Sequence, residues 1–272
     1  MLAGRNCMRS LVAALAVCLL MCTAVQAATL RVPVLVYHRF AATRVDSMTV
    51  RLSTFDAQLQ TLAGAGYRVI PLTSLLAALD GGTQADTHPL PTRAVVLCAD
   101  DGHQSVFTQM YPRVRALRMP VTLFVYPSAI SNAAYAMTWQ QLAELKASGL
   151  FDVQSHSYWH PNFNREEKRL TRPQYDALVS SQLAGARTAL QRHGAGAVDL
   201  LAWPFGIYSD PLMRAAQRAG YVAAFTIERR PVTRAERRFA LPRFLITDDD
   251  VGDRFLRLLN SNAIEPAKKG RT

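Results

Sequence analysis

The chain predicts an α/β fold, a parallel barrel of about seven βα units in a single domain, and three observations predict it. Short apolar runs alternate with longer amphipathic stretches along most of the sequence, as strand and crossover helix do in a parallel sheet. Polar residues close several of those runs, where parallel barrels carry their functional rim. Removing a 27-residue leader from the 272 residues leaves 245, enough for one full core.

The elements follow in order. Arg5 and Arg9 precede an apolar run from Leu11 to Val25, and Val25-Gln26-Ala27 offers the small residue a signal peptidase needs. Residues 1–27 therefore read as a cleaved secretory signal, since the run is short for a bilayer span. The product would be periplasmic or extracellular, with no transmembrane segment after cleavage. The expected strands are Arg31 to His38, Arg93 to Asp100, Val121 to Tyr126, Phe151 to His156, Val198 to Trp203, Tyr221 to Ile227 and Phe239 to Ile246. Between and after them the spacing predicts helices over Thr54 to Ala65, Leu72 to Leu79, Gln104 to Leu117, Thr138 to Ser148, Arg172 to His193, Asp210 to Ala219 and Val251 to Leu259. Thr138 and Asp210 are candidate N-caps, and Gly66, Gly149, Gly194 and Gly220 sit where helices should stop. Residues 80–89 read as a surface loop, and no repeat or internal domain boundary is visible. The domain is placed at 28–262 and a polar disordered tail at 263–272.

The formal charge of +11 falls to about +9 without Arg5 and Arg9. Its densest patch, Arg229-Arg230, Arg234 and Arg237-Arg238, suits a solvated face or an anionic surface, and no nucleic-acid motif accompanies it. Three of four cysteines, Cys7, Cys18 and Cys22, fall in the leader. Cys98 alone remains, so no internal disulfide can form, and its place in an apolar run marks it as a core residue.

The chemistry concentrates in Asp100-Asp101-Gly102 and His156-Ser157-Tyr158-Trp159-His160-Pro161. Two histidines and one carboxylate make a three-ligand metal site with an open position for water. The second carboxylate is then free to take that water's proton, and metal-assisted hydrolysis needs both parts. A helix N-cap explains one carboxylate ahead of residue 104 but not two. His38, Asp100-Asp101, His156 and Trp203-Pro204-Phe205-Gly206 all end predicted strands, which brings them to one rim.

These motifs, with Val32-Pro33-Val34-Leu35-Val36-Tyr37-His38 before them and Leu241-Pro242-Arg243-Phe244 after, resemble polysaccharide deacetylases of carbohydrate esterase family four. Within it they are most similar to the extracellular poly-N-acetylglucosamine deacetylases. The resemblance implies a distorted (β/α)7 barrel and one divalent metal on Asp101, His156 and His160. Zinc suits the donor set, and Co2+, Ni2+ and Fe2+ also accept it. It implies Asp100 as general base, His38 as the acid that protonates the amine leaving group, and the Phe205 backbone N–H as an oxyanion donor. The chain departs from the family at Ala202, where many members carry a base-orienting arginine, and at Cys98-Ala99. Arg243 either takes that arginine's role or makes an ordinary surface ion pair. Trp159 and Trp203 are the candidate sugar-stacking faces, Trp159 above all because a residue between two ligands can hardly be buried on both sides.

The expected activity is removal of acetyl groups from an N-acetylated extracellular polysaccharide, poly-β-1,6-N-acetylglucosamine by resemblance, with polymer-export proteins as possible partners. Peptidoglycan or chitooligosaccharide deacetylation and an inert carbohydrate-binding barrel are the alternatives. A base and an acid flanking the metal argue against the inert barrel.

Overall fold

The computed structural model describes residues 30–81 and 90–261. The expected signal, most of the 80–89 loop and the expected tail lie outside them. Seven parallel strands build the barrel: β1 (Val34–Tyr37), β2 (Ala94–Asp101), β3 (Val121–Val125), β4 (Phe151–Ser155), β5 (Leu200–Ala202), β6 (Ala223–Phe225) and β7 (Phe244–Leu245). Their spatial order is β6-β5-β4-β3-β2-β1-β7, with Arg68–Val69 added beside β2. A bridge between Phe225 and Leu241 joins the two ends of the series. The result is a distorted (β/α)7 barrel.

β2 shows why these runs become strands. Seven of its eight residues are buried, and the Ala-Val-Val-Leu-Cys-Ala sequence is apolar on both faces, as a parallel strand covered on both sides requires. Alternate residues separate by destination. Val34, Val36, Val96, Cys98, Phe124, Ala202 and Phe225 share one cluster with Leu72, Leu75 and Leu76, while Leu35, Tyr37, Val95, Leu97, Ala99, Leu123 and Val153 join a second with Phe55, Leu142 and Phe255. This is the two-residue period of a strand read out as two core layers.

Among the described residues eight α-helices accompany the sheet: α1 (Leu52–Gly64), α2 (Leu72–Asp80), α3 (Tyr111–Ala116), α4 (Trp139–Ala147), α5 (Phe163–Arg169), α6 (Arg172–Arg192), α7 (Asp210–Arg218) and α8 (Gly252–Leu259). Capping boxes start two of them, Thr138 with Gln141 on α4 and Thr171 with Gln174 on α6. All four expected stop glycines have positive φ. Three differences from the sequence reading are local. Ser209 rather than Asp210 caps α7, its side chain accepting from Leu212 N–H, and Asp210 stands in the first turn. The stretch expected as one helix from Gln104 opens with a wide π-type turn over Val106–Met110 before α3. Asn162 caps a seven-residue α5 that is too short to show a period.

Cys98 is free and fully buried, and burial pushes its thiol up to about 12. The basic patch is largely paired: Arg229 with Asp250, Arg230 with Glu228 and Glu236, Arg237 with Asp210, and Arg238 with Asp80. Among the described residues no helix is long and apolar enough to cross a membrane.

Candidate active site

The C-terminal ends of β1, β2, β4 and β5 converge on a cavity of about 310 Å³ lined by His38, Asp100, Asp101, His156, His160 and Phe205, with Arg39, Met48, Trp203, Gly206, Ile227 and Leu245. Strand alternation would send adjacent Asp100 and Asp101 to opposite faces. Asp101 breaks the alternation with φ of 72°, a left-handed conformation that L-residues rarely adopt. Ser157, His160 and Phe205 share it, at 63°, 62° and 56°. Four strained non-glycine residues at one rim are the backbone signature of a site held by its surroundings. Gly102 has no such freedom to lose, since a Cβ there would stand 2.9 Å from Ile130 Cδ1.

Asp100 is buried and gripped by Arg243, whose Nη1 and Nη2 donate to Oδ1 and Oδ2 at 2.8 and 2.7 Å. Arg243 is itself fully buried, donates from Nε to the Thr226 carbonyl at 2.9 Å, and lies over the Phe124 ring. The fork is the strong form of a charge-assisted pair. Burial would raise the Asp100 carboxyl, but the Arg243 charge, helped by His156 and the forked bonds, holds it at about 2. Asp100 is therefore an ionised acceptor at any ordinary pH. Of the two readings of Arg243 open in the sequence, the surface ion pair is excluded by its burial.

Asp101, His156 and His160 offer three ligand atoms within 4.8 Å of one another. His156 Nε2 and His160 Nε2 lie 3.5 and 3.8 Å from Asp101 Oδ1. His156 Nδ1 meets the Ala202 carbonyl at 2.8 Å, which places the ring proton there and leaves Nε2 a lone pair. Burial, and then the neighbouring His156, push His160 down to about 4 against the pull of Asp101, so the His160 ring is neutral near pH 7. Asp101 Oδ1 is buried with no hydrogen-bond partner among the described residues. The donor set would fit a divalent cation, since ligand atoms at about 2.1 Å from one ion stand about 3.4 Å apart, close to the 3.5 and 3.8 Å found from Asp101 Oδ1.

The loop carrying His160 is fastened at three of its N–H groups: His156 N–H to Val125 O at 2.8 Å, Trp159 N–H to Gln182 Oε1 at 3.0 Å, His160 N–H to Ser157 Oγ at 3.2 Å. Phe205 packs edge-on against the His160 ring at 4.5 Å between centroids. His38 lines the cavity with its Nδ1 buried and unpartnered among the described residues, and burial holds the imidazole below its ordinary value while Asp100 and Asp101 pull it up.

The two tryptophans fare differently. Trp159 is 39% exposed on the same loop but does not line the cavity. Trp203 corrects the sequence reading: although it borders the cavity it is fully buried, packs against Phe163 and donates from Nε1 to the Phe239 carbonyl at 2.9 Å, so its face is not open to a sugar. The sequence reading missed Arg39, Met48, Ile227 and Leu245. Arg39 carried a signal, following His38 at a strand end, whereas Met48 and Leu245 carried none.

A family model described as polysaccharide deacetylase matches residues 87–224. The chain belongs to the polysaccharide deacetylase family. It is thus a hydrolase acting on amide bonds. This deacetylase is 21% identical over 218 residues to the poly-beta-1,6-N-acetyl-D-glucosamine N-deacetylase of Staphylococcus aureus strain MRSA252, covering 79% of this chain and 73% of the relative. It is 24% identical over 241 residues to the Escherichia coli K12 protein of the same name, covering 74% of this chain and 34% of that longer relative. Among solved structures, Streptococcus pyogenes deacetylase PplD superposes with a TM-score of 0.73 at 20% identity, over 85% of this chain and 99% of that one. IcaB from Ammonifex degensii superposes with a TM-score of 0.70 at 23% identity, over 85% and 97%. At these identities the superpositions establish the shared barrel.

Proposed function

We propose that this deacetylase removes acetyl groups from the N-acetylglucosamine residues of an extracellular polysaccharide, poly-β-1,6-N-acetylglucosamine, with one divalent ion held by Asp101, His156 and His160. The names of the relatives support the polymer, and the leader-like residues 1–27 support the location. The observation that carries the mechanism is the buried Arg243–Asp100 fork beside the unpartnered Asp101 oxygen.

When bound, the ion supplies Lewis acidity to the acetamide carbonyl and to water, and zinc suits two imidazoles and a carboxylate. Asp100 accepts the proton of the attacking water as the new carbon–oxygen bond forms. Arg243 aims both carboxylate oxygens and keeps Asp100 ionised while it waits. The Phe205 N–H, on its left-handed turn, donates to the developing oxyanion. His38, as imidazolium, delivers a proton to the amide nitrogen as the carbon–nitrogen bond breaks, because an amine leaves readily only when protonated, and the proton taken by Asp100 restores that form for the next turnover. The products are acetate and a polymer bearing a free amine.

The test is acetate release from β-1,6-linked N-acetylglucosamine oligomers by the purified protein, with and without chelator, beside Asp100→Asn. The expected outcome is metal-dependent release that the variant lowers about 10²- to 10⁴-fold while staying folded at the assay temperature, with a lower thermal midpoint because Arg243 loses its charged partner. Release indifferent to both chelation and Asp100→Asn would sink the mechanism; binding without release would favour the inert carbohydrate-binding barrel.

A further inference from the structure

Beside the cavity lies a second set of groups that the mechanism does not use. Ser105 directs two donors at one atom of His103. Its backbone N–H reaches Nδ1 at 3.1 Å and its Oγ reaches the same nitrogen at 2.8 Å. The Phe40 N–H donates to that Oγ at 2.9 Å, and because the Ser105 backbone N–H can only donate, Nδ1 accepts it and the hydroxyl proton as well. Nδ1 must therefore be an acceptor, and the neutral ring carries its proton on Nε2. No hydrogen bond to Nε2 is present among the described residues. A buried serine has thus fixed the tautomer and orientation of a half-buried histidine so that it presents one N–H donor outward.

The ring of Tyr135 lies nearly parallel to His103, 15° between planes and 6.1 Å between centroids, and is 43% exposed. Its loop is zipped to the Asp-Asp-Gly turn by the Gln104 N–H to Tyr135 O bond at 2.8 Å, the Met137 N–H to Gly102 O bond at 2.9 Å and a bridge between His103 and Ala136. The Tyr135 hydroxyl bonds that of Tyr126, whose ring stands 5.3 Å from His160. These contacts form a rigid ledge running outward from a metal-ligand candidate, with an exposed aromatic face and a committed donor.

The geometry points to this ledge as a subsite for a second sugar of the polymer, next to the residue being deacetylated. Tyr135 stacks on the apolar face of that pyranose and His103 Nε2–H donates to one of its oxygens. The assignment rests on the polysaccharide reading above, and explains how a neutral chain is held by a protein whose net charge gives it no purchase.

The experiment compares N-acetylglucosamine pentamer with dimer on the purified, metal-loaded protein and on Tyr135→Ala, His103→Asn and His103→Gln. Tyr135→Ala should raise the pentamer KM about tenfold with kcat kept. The two histidine variants separate the roles of the ring nitrogens. Asn keeps an acceptor for Ser105 and loses the outward donor; Gln keeps a donor near the Nε2 position. Asn should raise the pentamer KM about fivefold and Gln less. Thermal midpoints report folding, and pentamer binding to the Asp100→Asn protein, with and without Tyr135→Ala, gives a second readout independent of turnover. Equal losses in kcat for dimer and pentamer, or pentamer binding unchanged by Tyr135→Ala, would overturn the subsite while leaving the deacetylase reading intact. Tyr135-dependent pentamer binding with no acetate released would retain the subsite and overturn the deacetylase reading, and no pentamer binding at all would overturn both.

Discussion

The barrel has two unlike arcs. Strands β1 to β4 run four, eight, five and five residues and are tied by continuous backbone ladders. Strands β5 to β7 run three, three and two, with one registered pair, Ser155 with Leu201, joining β4 to β5. Side chains make up the difference in the second arc. Buried Gln154 of β4 accepts from the Asp199 and Leu200 N–H groups at 3.0 and 2.9 Å, Trp203 reaches the Phe239 carbonyl, and Arg243 reaches the Thr226 carbonyl. The ladder-rich arc supplies Asp100, Asp101 and the strand leading to His156. The side-chain-tied arc supplies Arg243 and Phe205, the groups proposed to tune and assist. Ladders give position from the backbone alone, whereas the second arc adds specific side-chain ties to its shorter ladders, so single substitutions there should be felt most widely.

The largest effect should come from Arg243→Leu, which strips the partner from a buried carboxylate. Unfolding in urea should show a loss of about 3–5 kcal/mol near neutral pH. Acetate release should fall more than Asp101-dependent metal content does. The pH dependence follows in sign: Asp100 is held at about 2, below its ordinary 3.8, so the stability this pair contributes is complete above the ordinary value and is lost as pH falls through about 2. The stability gap between wild type and Arg243→Leu should therefore narrow between pH 5 and pH 2; a constant gap would mean that the fork holds the arc by packing rather than by charge.

Gly206→Ala comes next. Its φ is 68° and a Cβ would stand 2.6 Å from Ile227 Cγ1, so the turn carrying Phe205 must shift. A cost of about 2–3 kcal/mol in denaturation, with a fall in kcat, is expected. Trp203→Phe is the mildest, leaving the Phe239 carbonyl unpaired for about 1–2 kcal/mol with activity nearly kept. A steep loss of oligomer affinity instead would return Trp203 to the substrate.

The seven-strand count, the seven long helical stretches and the convergence of His38, Asp100, Asp101 and His156 were legible because each rests on local pattern: apolar period, stop glycines, and polar residues closing apolar runs. α5 was not, being a two-turn helix whose only mark is Asn162. Trp203 misled because an aromatic at a strand end looks the same in sequence whether it faces a cavity or a helix layer. Here it sits with Leu201 and Ala224 in a cluster walled by Leu183, Leu212 and Met213.

What the sequence by itself determined is the chemistry available: two carboxylates, two imidazoles and a third histidine, all but the loop residue His160 placed near the rim by the strand each ends. What only the tertiary structure decided is how those groups are paired. That Arg243 forks onto Asp100 across 143 positions, that Asp101 turns back toward both histidines, and that Met48, Ile227 and Leu245 wall the cavity all depend on barrel closure and on left-handed backbone at non-glycine residues. Neither leaves a periodic trace, because contacts between distant strands and strain sustained by packing are properties of the closed assembly and not of any local window of chain.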